Sequence, residues 1–219
     1  DTTESRGLGD VYKRQADMRS LCDEFGAMLV VDDSHGHGVM GQTGRGTHEY
    51  CGLRSDQVDI LTGTLGKALG GGAGGFVAGS QTAIDLLVQR ARPTLFSNAL
   101  PTTVAASAEM AIRILQEEPE RVERLRANVE RARSGIRDAG FEVLDSPTAI
   151  CPIIVGDTAR AIRLSERLLE KGVFVIGFGY PVVPEGEARL RVQISAAHTD
   201  EHIDRLIHAL QELKAEEEA

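Results

Sequence analysis

The chain has 219 residues, 42% of them hydrophobic and 4% aromatic with no Trp, so its core is chiefly aliphatic and fills one substantial domain or two small ones. Its 24 Lys and Arg against 33 Asp and Glu give a net charge of -9, which excludes the basic face that a nucleic-acid binder presents. No apolar run approaches the ~20 residues of a membrane helix, no signal-peptide pattern opens the chain, and Cys22, Cys51 and Cys151 lie too far apart for a zinc knuckle or disulfide framework. A cytoplasmic protein without nucleic-acid or membrane partners is expected.

Residues 1–15, DTTESRGLGDVYKRQ, show neither helical nor strand periodicity and are set aside as a junction foreign to the fold. Ala16–Phe25 reads as a helix closed by Gly26. Ala27–Val31 (AMLVV) is a short continuous apolar run, the pattern of a strand buried on both faces. Asp32 then stands at the C-terminal end of that strand, where open α/β sheets bind ligands. A second run, Val58–Leu61, leads into TGTLGKALGGGAGG, and a third, Gly75–Ala78, follows it. Helices are predicted over Gln81–Arg90, Pro101–Glu117 and Pro119–Ala139, the second with Pro well placed near its start.

Beyond these, strands are predicted over Phe141–Leu144, Ile150–Val155, Val173–Ile176 and Ala188–Ile194. Helices are predicted over Thr158–Lys171 and Thr199–Leu213. The Arg-rich stretch 121–137 is expected to be a solvated helix face laced with i,i+4 pairs, and the acidic KAEEEA tail is expected to fray. This order predicts an α/β unit over residues 16–108 and a small α+β unit over 109–219.

Lys67 lies among glycines, so a planar ligand or phosphate can approach it closely. A P-loop would need Gly and Ser or Thr where the chain has Leu61 and Ala68. The spacing G-x-G-x-x-G does occur at Gly70, Gly72 and Gly75, but it leads into a strand rather than opening a helix. A second cluster, Asp32-Asp33-Ser34-His35-Gly36-His37, follows the first strand. Alone it admits a metal reading, with Asp32, Asp33, His35, His37 and His48 as candidate ligands.

Taken together, the two clusters suit pyridoxal 5'-phosphate (PLP). That cofactor needs a Lys amine, a carboxylate facing the pyridine nitrogen, a donor near the ring oxygen, and hydroxyls for the phosphate. Lys67, Asp32, His35 and Thr64 suit those tasks in turn. Either Arg189 or Arg191, two apart on one strand face, suits a substrate carboxylate.

The blocks VVDDSHGHGVMGQTGRGTHEY, DILTGTLGKALGGGAGGFVAG, RARPTLFSNALP and GFGYPVVPEGEARLRVQISAAHT resemble the α-oxoamine synthases of PLP fold type I, over about residues 16–213. The resemblance implies an α/β fold: the C-terminal part of a large, mostly parallel PLP-binding domain plus a small α+β domain. It implies Lys67 and His35 as catalytic residues, with Lys67 as the Schiff-base lysine. Asp32 would lie at the pyridine nitrogen, His35 at the ring oxygen, Thr64 at the phosphate and Arg191 at the substrate carboxylate. Ser97 would reach the phosphate of a neighbouring subunit, which implies a homodimer with shared active sites.

The expected substrates are glycine and acetyl-CoA; sister reactions of the family yield 8-amino-7-oxononanoate or 5-aminolevulinate instead. The family's N-terminal half is expected to be missing, so the 219 residues alone should turn over little substrate.

Overall fold

A computed structural model describes residues 14–70 and 72–218; all of the stretch set aside as a junction except Arg14 and Gln15 lies outside them. The described residues form two compact units, divided between Val122 and Glu123. The division falls later than residue 108 because the helix Thr102–Glu117 belongs to the first unit, where Ala108 and Leu115 pack with Leu65 and Leu69.

The first unit is built on a three-stranded sheet in the order β1 (Val30–Asp32), β2 (Ile60–Thr64), β3 (Gly75–Gly79). β1 and β2 pair in parallel and β2 and β3 antiparallel, with Asp32 opposite Thr62 and Thr64 opposite Gly75. Both sequence clusters therefore start from adjacent strand ends on one edge of this sheet. Helix α1 (Gln15–Phe25) ends at Gly26, whose φ of 62° is the left-handed conformation a C-terminal glycine supplies at low cost. Arg19 fixes it to the sheet: its Nη1 donates to Asp59 Oδ2 at 2.8 Å, and the same oxygen accepts from Leu29 N at 2.7 Å.

The strand expected to be buried on both faces is not. β1 is three residues long and alternates, with Val31 7% exposed and Val30 58% exposed. Leu29, Val31 and Val58 form the covered face, while no described residue covers the other.

Helices α2 (Thr47–Tyr50), α3 (Gln81–Arg90), α4 (Arg92–Phe96) and α5 (Thr102–Glu117) complete the first unit, and α6 (Glu120–Asp138) runs across the division. α4 was not anticipated; Pro93 sits in its first turn, a position where the missing N–H costs nothing.

The second unit has a four-stranded antiparallel sheet in the order β4 (Glu142–Val143), β5 (Ile150–Gly156), β7 (Ala188–Gln193), β6 (Ile176–Phe178). Its helices are α7 (Thr158–Glu170), capped by the Asp157 side chain, and α8 (Asp200–Glu218). The third strand begins later than expected because α7's closing turn takes the Val173 N–H, which donates to Leu168 O at 2.8 Å.

Two further expectations are corrected. The acidic tail is helical through Glu218, because Lys171 and Arg167 of the α7 region pair with Glu216, and Arg160 pairs with Glu217. The Arg-rich helix pairs locally at Arg121 with Glu118 but also reaches beyond its own face. Arg131 pairs with Asp200 and Asp204, Arg137 with Asp145, and Arg133 is buried against the Thr148 and Ile150 carbonyls.

Candidate active site

β1 delivers Asp32 to the sheet edge, and the chain then turns tightly through Asp33–Gly38. The turn closes on the Asp33 carbonyl, which accepts from Gly36 N at 3.0 Å, His37 N at 3.2 Å and His37 Nδ1 at 3.0 Å. This geometry puts His35 at the outer side of the turn. β2 delivers the second loop, which is folded on itself by Leu65 N to Gly74 O and Gly72 N to Leu65 O, both 3.0 Å. The two loops meet where Gly38 faces Ala68, so closely that a Cβ on Gly38 would stand 3.0 Å from the Ala68 Cβ.

At that junction Lys67 Nζ lies 3.0 Å from His35 Nε2, thirty-two positions away in sequence. Lys67 is exposed and His35 half-buried. The Asp32 carboxyl is held below the usual carboxylate range by the Ser34 side chain and backbone, with smaller contributions from the charges of Lys67 and His35. Ser34 N donates to Asp32 Oδ1 at 2.9 Å. An ionised carboxylate, an imidazole and a primary amine therefore share one open site.

The Thr64 hydroxyl accepts from Gly66 N at 3.1 Å and donates to Gly74 O at 3.3 Å, so it also ties the lysine loop together. Ser97 is exposed at the end of α4, and among the described residues its side chain has no hydrogen bond to the Lys67 group. Arg189 and Arg191 lie in the second unit. Arg189 is buried, with Nε donating to Glu187 O at 3.1 Å and Nη2 to Glu187 Oε2 at 3.0 Å. Arg191 lines a cavity of about 640 Å³ together with Phe178, Ile176 and His202.

The donor set fits PLP: an accessible amine for its aldehyde, a carboxylate kept charged, an imidazole beside both, and a hydroxyl at the loop base. No group of three or more His, Cys, Asp or Glu side chains among the described residues is placed to hold a metal ion. No helix among them is long and apolar enough to cross a membrane.

Sequence reasoning named Asp33 only as a candidate metal ligand and missed its buried place. It is fully buried, and its Oδ2 accepts from Thr47 N at 2.7 Å. Strand alternation held the available signal: with Asp32 pointing outward, the next residue points inward.

Residues 8–210 match the family model described as Aminotransferase class I and II. The 8-amino-7-oxononanoate synthase of Thioalkalivibrio sulfidiphilus is 49% identical over 194 residues, covering 89% of this chain and 49% of that protein. The mitochondrial 2-amino-3-ketobutyrate coenzyme A ligase of Mus musculus is 45% identical over 205 residues, covering 94% of this chain and 49% of that protein. The chain thus spans about half the length of the curated relatives it matches. A solved structure of SPT with PLP as internal aldimine superposes with a TM-score of 0.86 at 31% identity, over 92% of this chain and 50% of that one.

Proposed function

The chain belongs to the aminotransferase class I and II family, among its α-oxoamine synthases, and on that premise we propose that it is the C-terminal part of a PLP-dependent glycine C-acetyltransferase. The reaction joins glycine to acetyl-CoA, giving 2-amino-3-oxobutyrate and CoA; run in reverse it serves threonine breakdown. The observation that carries this reading is the 3.0 Å contact of Lys67 with His35 at the edge where Asp32 also emerges.

When bound, PLP supplies the electron sink that makes the glycine α-carbon acidic. Lys67 would hold the cofactor through its amine, and the same Nζ is the base placed to take the α-proton. Asp32 would face the pyridine nitrogen and favour its protonated form, and His35, whose Nε2 faces the lysine amine, would lie at the ring oxygen. Thr64 and the Ser97 of a second copy would hold the phosphate. Arg191 binds the glycine carboxylate; Arg189 is already occupied by Glu187. The open face of β1 and the exposed Ser97 are consistent with an active site completed by further chain and a second subunit.

A second reading moves only the substrates. The 49% identical 8-amino-7-oxononanoate synthase favours a sister reaction on the same cofactor residues.

Two measurements test these readings. Borohydride reduction in the presence of PLP should place a phosphopyridoxyl group on Lys67, located by peptide mass, and Lys67→Ala should abolish it. Labelling spread over surface lysines would sink the cofactor assignment. CoA release is then compared, on a protein of the relatives' full length carrying these residues, between glycine with acetyl-CoA and alanine with pimeloyl-CoA. Turnover of the first pair supports the acetyltransferase; turnover of the second moves the protein to the sister reaction.

A further inference from the structure

Beneath the turn that carries His35 lies a second carboxylate, which the proposed chemistry does not use. Asp33 is wholly withdrawn from solvent. One of its oxygens, Oδ2, accepts from Thr47 N at 2.7 Å, while the other, Oδ1, has no hydrogen-bond partner among the described residues. His37 stands over it: Nδ1 must carry a proton to bond the Asp33 carbonyl at 3.0 Å, and Nε2 is 3.9 Å from Oδ2. His37 is itself held by an edge contact with Phe76, at 5.2 Å between centroids. Thr47 is anchored in turn by Gln15, whose Nε2 donates to its hydroxyl at 2.6 Å.

The surrounding backbone is shaped to this carboxylate. A Cβ on Gly36 would stand 2.0 Å from Oδ1, and one on Gly46 would stand 1.9 Å from Oδ2. Gly46 also has a φ of 114°, which other residues rarely adopt. Two glycines ten positions apart are thus needed to admit one side chain. Burying a carboxylate with one oxygen unmatched is costly, and a fold relying on this site for stability alone would do better with an apolar residue.

We propose that Asp33 is a positioning residue: its buried carboxylate, gripped by the Thr47 amide and faced by His37, locks the Asp32–His35 turn so that the His35 ring meets the Lys67 amine. The importance of that meeting rests on the function proposed above, but the inference concerns this chain's own geometry and is tested without cofactor or turnover. The groups that face Asp33 are Thr47, His37, the Cys51 thiol and His48, the last also influenced by Glu49 and Arg45. Burial pushes the Asp33 carboxyl up and the His48 imidazole down, in keeping with a site that disfavours charge.

The experiment uses Asp33→Ala, which removes the acceptor of the Thr47 amide; Asp33→Asn, which keeps an acceptor there, is the conservative control and should leave both readouts near those of the unaltered chain. Folding is followed by circular dichroism, the His35 ring by ¹⁵N NMR, and Lys67 reactivity by trinitrobenzenesulfonate labelling mapped by peptide mass. In the folded variant, the His35 Nε2 signal should move to that of an unbonded imidazole. Lys67 labelling should rise about fivefold, the factor that accompanies loss of one hydrogen bond. An Asp33→Ala protein that is folded and shows both His35 and Lys67 unchanged overturns the proposal. Should the variant not fold, ¹³C-carboxyl NMR of the unaltered chain decides instead. The His35 ring signal should step at the pH where Asp33 titrates, and a His35 titration with no such step overturns it.

Discussion

In the second unit the side chains most completely withdrawn from water include Ile136, Ile153, Leu168, Leu190, Ile203 and Leu210; in the first they include Met40, Thr47 and Asp33. The second unit is therefore stabilised as most domains are, by aliphatic burial behind a sheet. The first gives two of its most protected positions, beside Met40 and Val122, to a carboxylate and a hydroxyl. The contrast separates two jobs. One unit supplies stability of its own, while the other holds a geometry that costs stability locally.

The comparison breaks most visibly if the second unit's core is opened. Leu190 lies in the central strand β7 and is fully buried. Leu190→Ala should destabilise that unit by about 2–5 kcal/mol through lost burial and the cavity left behind. Val30→Ala, on the uncovered face of β1, should change stability by about 0.5 kcal/mol or less. Denaturant unfolding with a probe in each unit measures both, and equal costs would erase the distinction.

Gly46→Ala tests the first unit at its tightest point. The added methyl meets Asp33 Oδ2, and the left-handed φ of 114° is strained for any side chain. A loss of about 1–3 kcal/mol is expected from those two effects together. The same substitution at Gly52, which also has positive φ but nothing within 4 Å of its Cβ, should cost less. The difference between the two isolates the carboxylate contact.

Asp33 sharpens the contrast through pH. Its carboxyl is raised by burial above the ordinary value. The protonated state is thus favoured in the fold: the contribution is fully present below the unfolded pKa and is lost as pH rises through the folded one. Asp33→Asn removes that loss, so its stability relative to the unaltered chain should improve from acid to neutral pH and then level off. Thermal melts across that range check the sign. A flat difference would mean that Asp33 carries no burial penalty.

How much of this was legible beforehand follows from which residues act locally and which through packing. Lys67, His35 and Asp32 could be singled out because Asp32 ends one strand and His35 and Lys67 lie three residues past strand ends, and the structure brings Lys67 and His35 into contact across thirty-two positions. The sheet and most helices follow from short apolar runs and from capping residues such as Asp157. Asp33 was hidden because two adjacent acids look alike in sequence, and only the alternation of the strand sends one outward and the other inward. The helical course of the tail was hidden for a related reason. A run of glutamates reads as self-repelling until Arg160, Arg167 and Lys171 are seen along the neighbouring helix.

That tail supplies the smallest test. Arg160 grips Glu217 with two parallel bonds, Nε to Oε1 at 2.8 Å and Nη2 to Oε2 at 2.7 Å, and its Nη1 also reaches the Val155 carbonyl at 3.2 Å. The pairing with Arg160 holds the Glu217 carboxyl below its ordinary range. A depressed folded pKa contributes stability above the unfolded value, and that stability is lost as pH falls through the folded value. Arg160→Ala should therefore cost about 1 kcal/mol or less at neutral pH, since the side chains are 33% and 29% exposed and water screens much of the attraction. The cost of losing the pair should shrink further in strong acid, where Glu217 is protonated in either protein, and in high salt. A loss independent of both would assign the effect to the Val155 hydrogen bond and the packing of the arginine stem. In that case the ion pair would follow the helix rather than extend it.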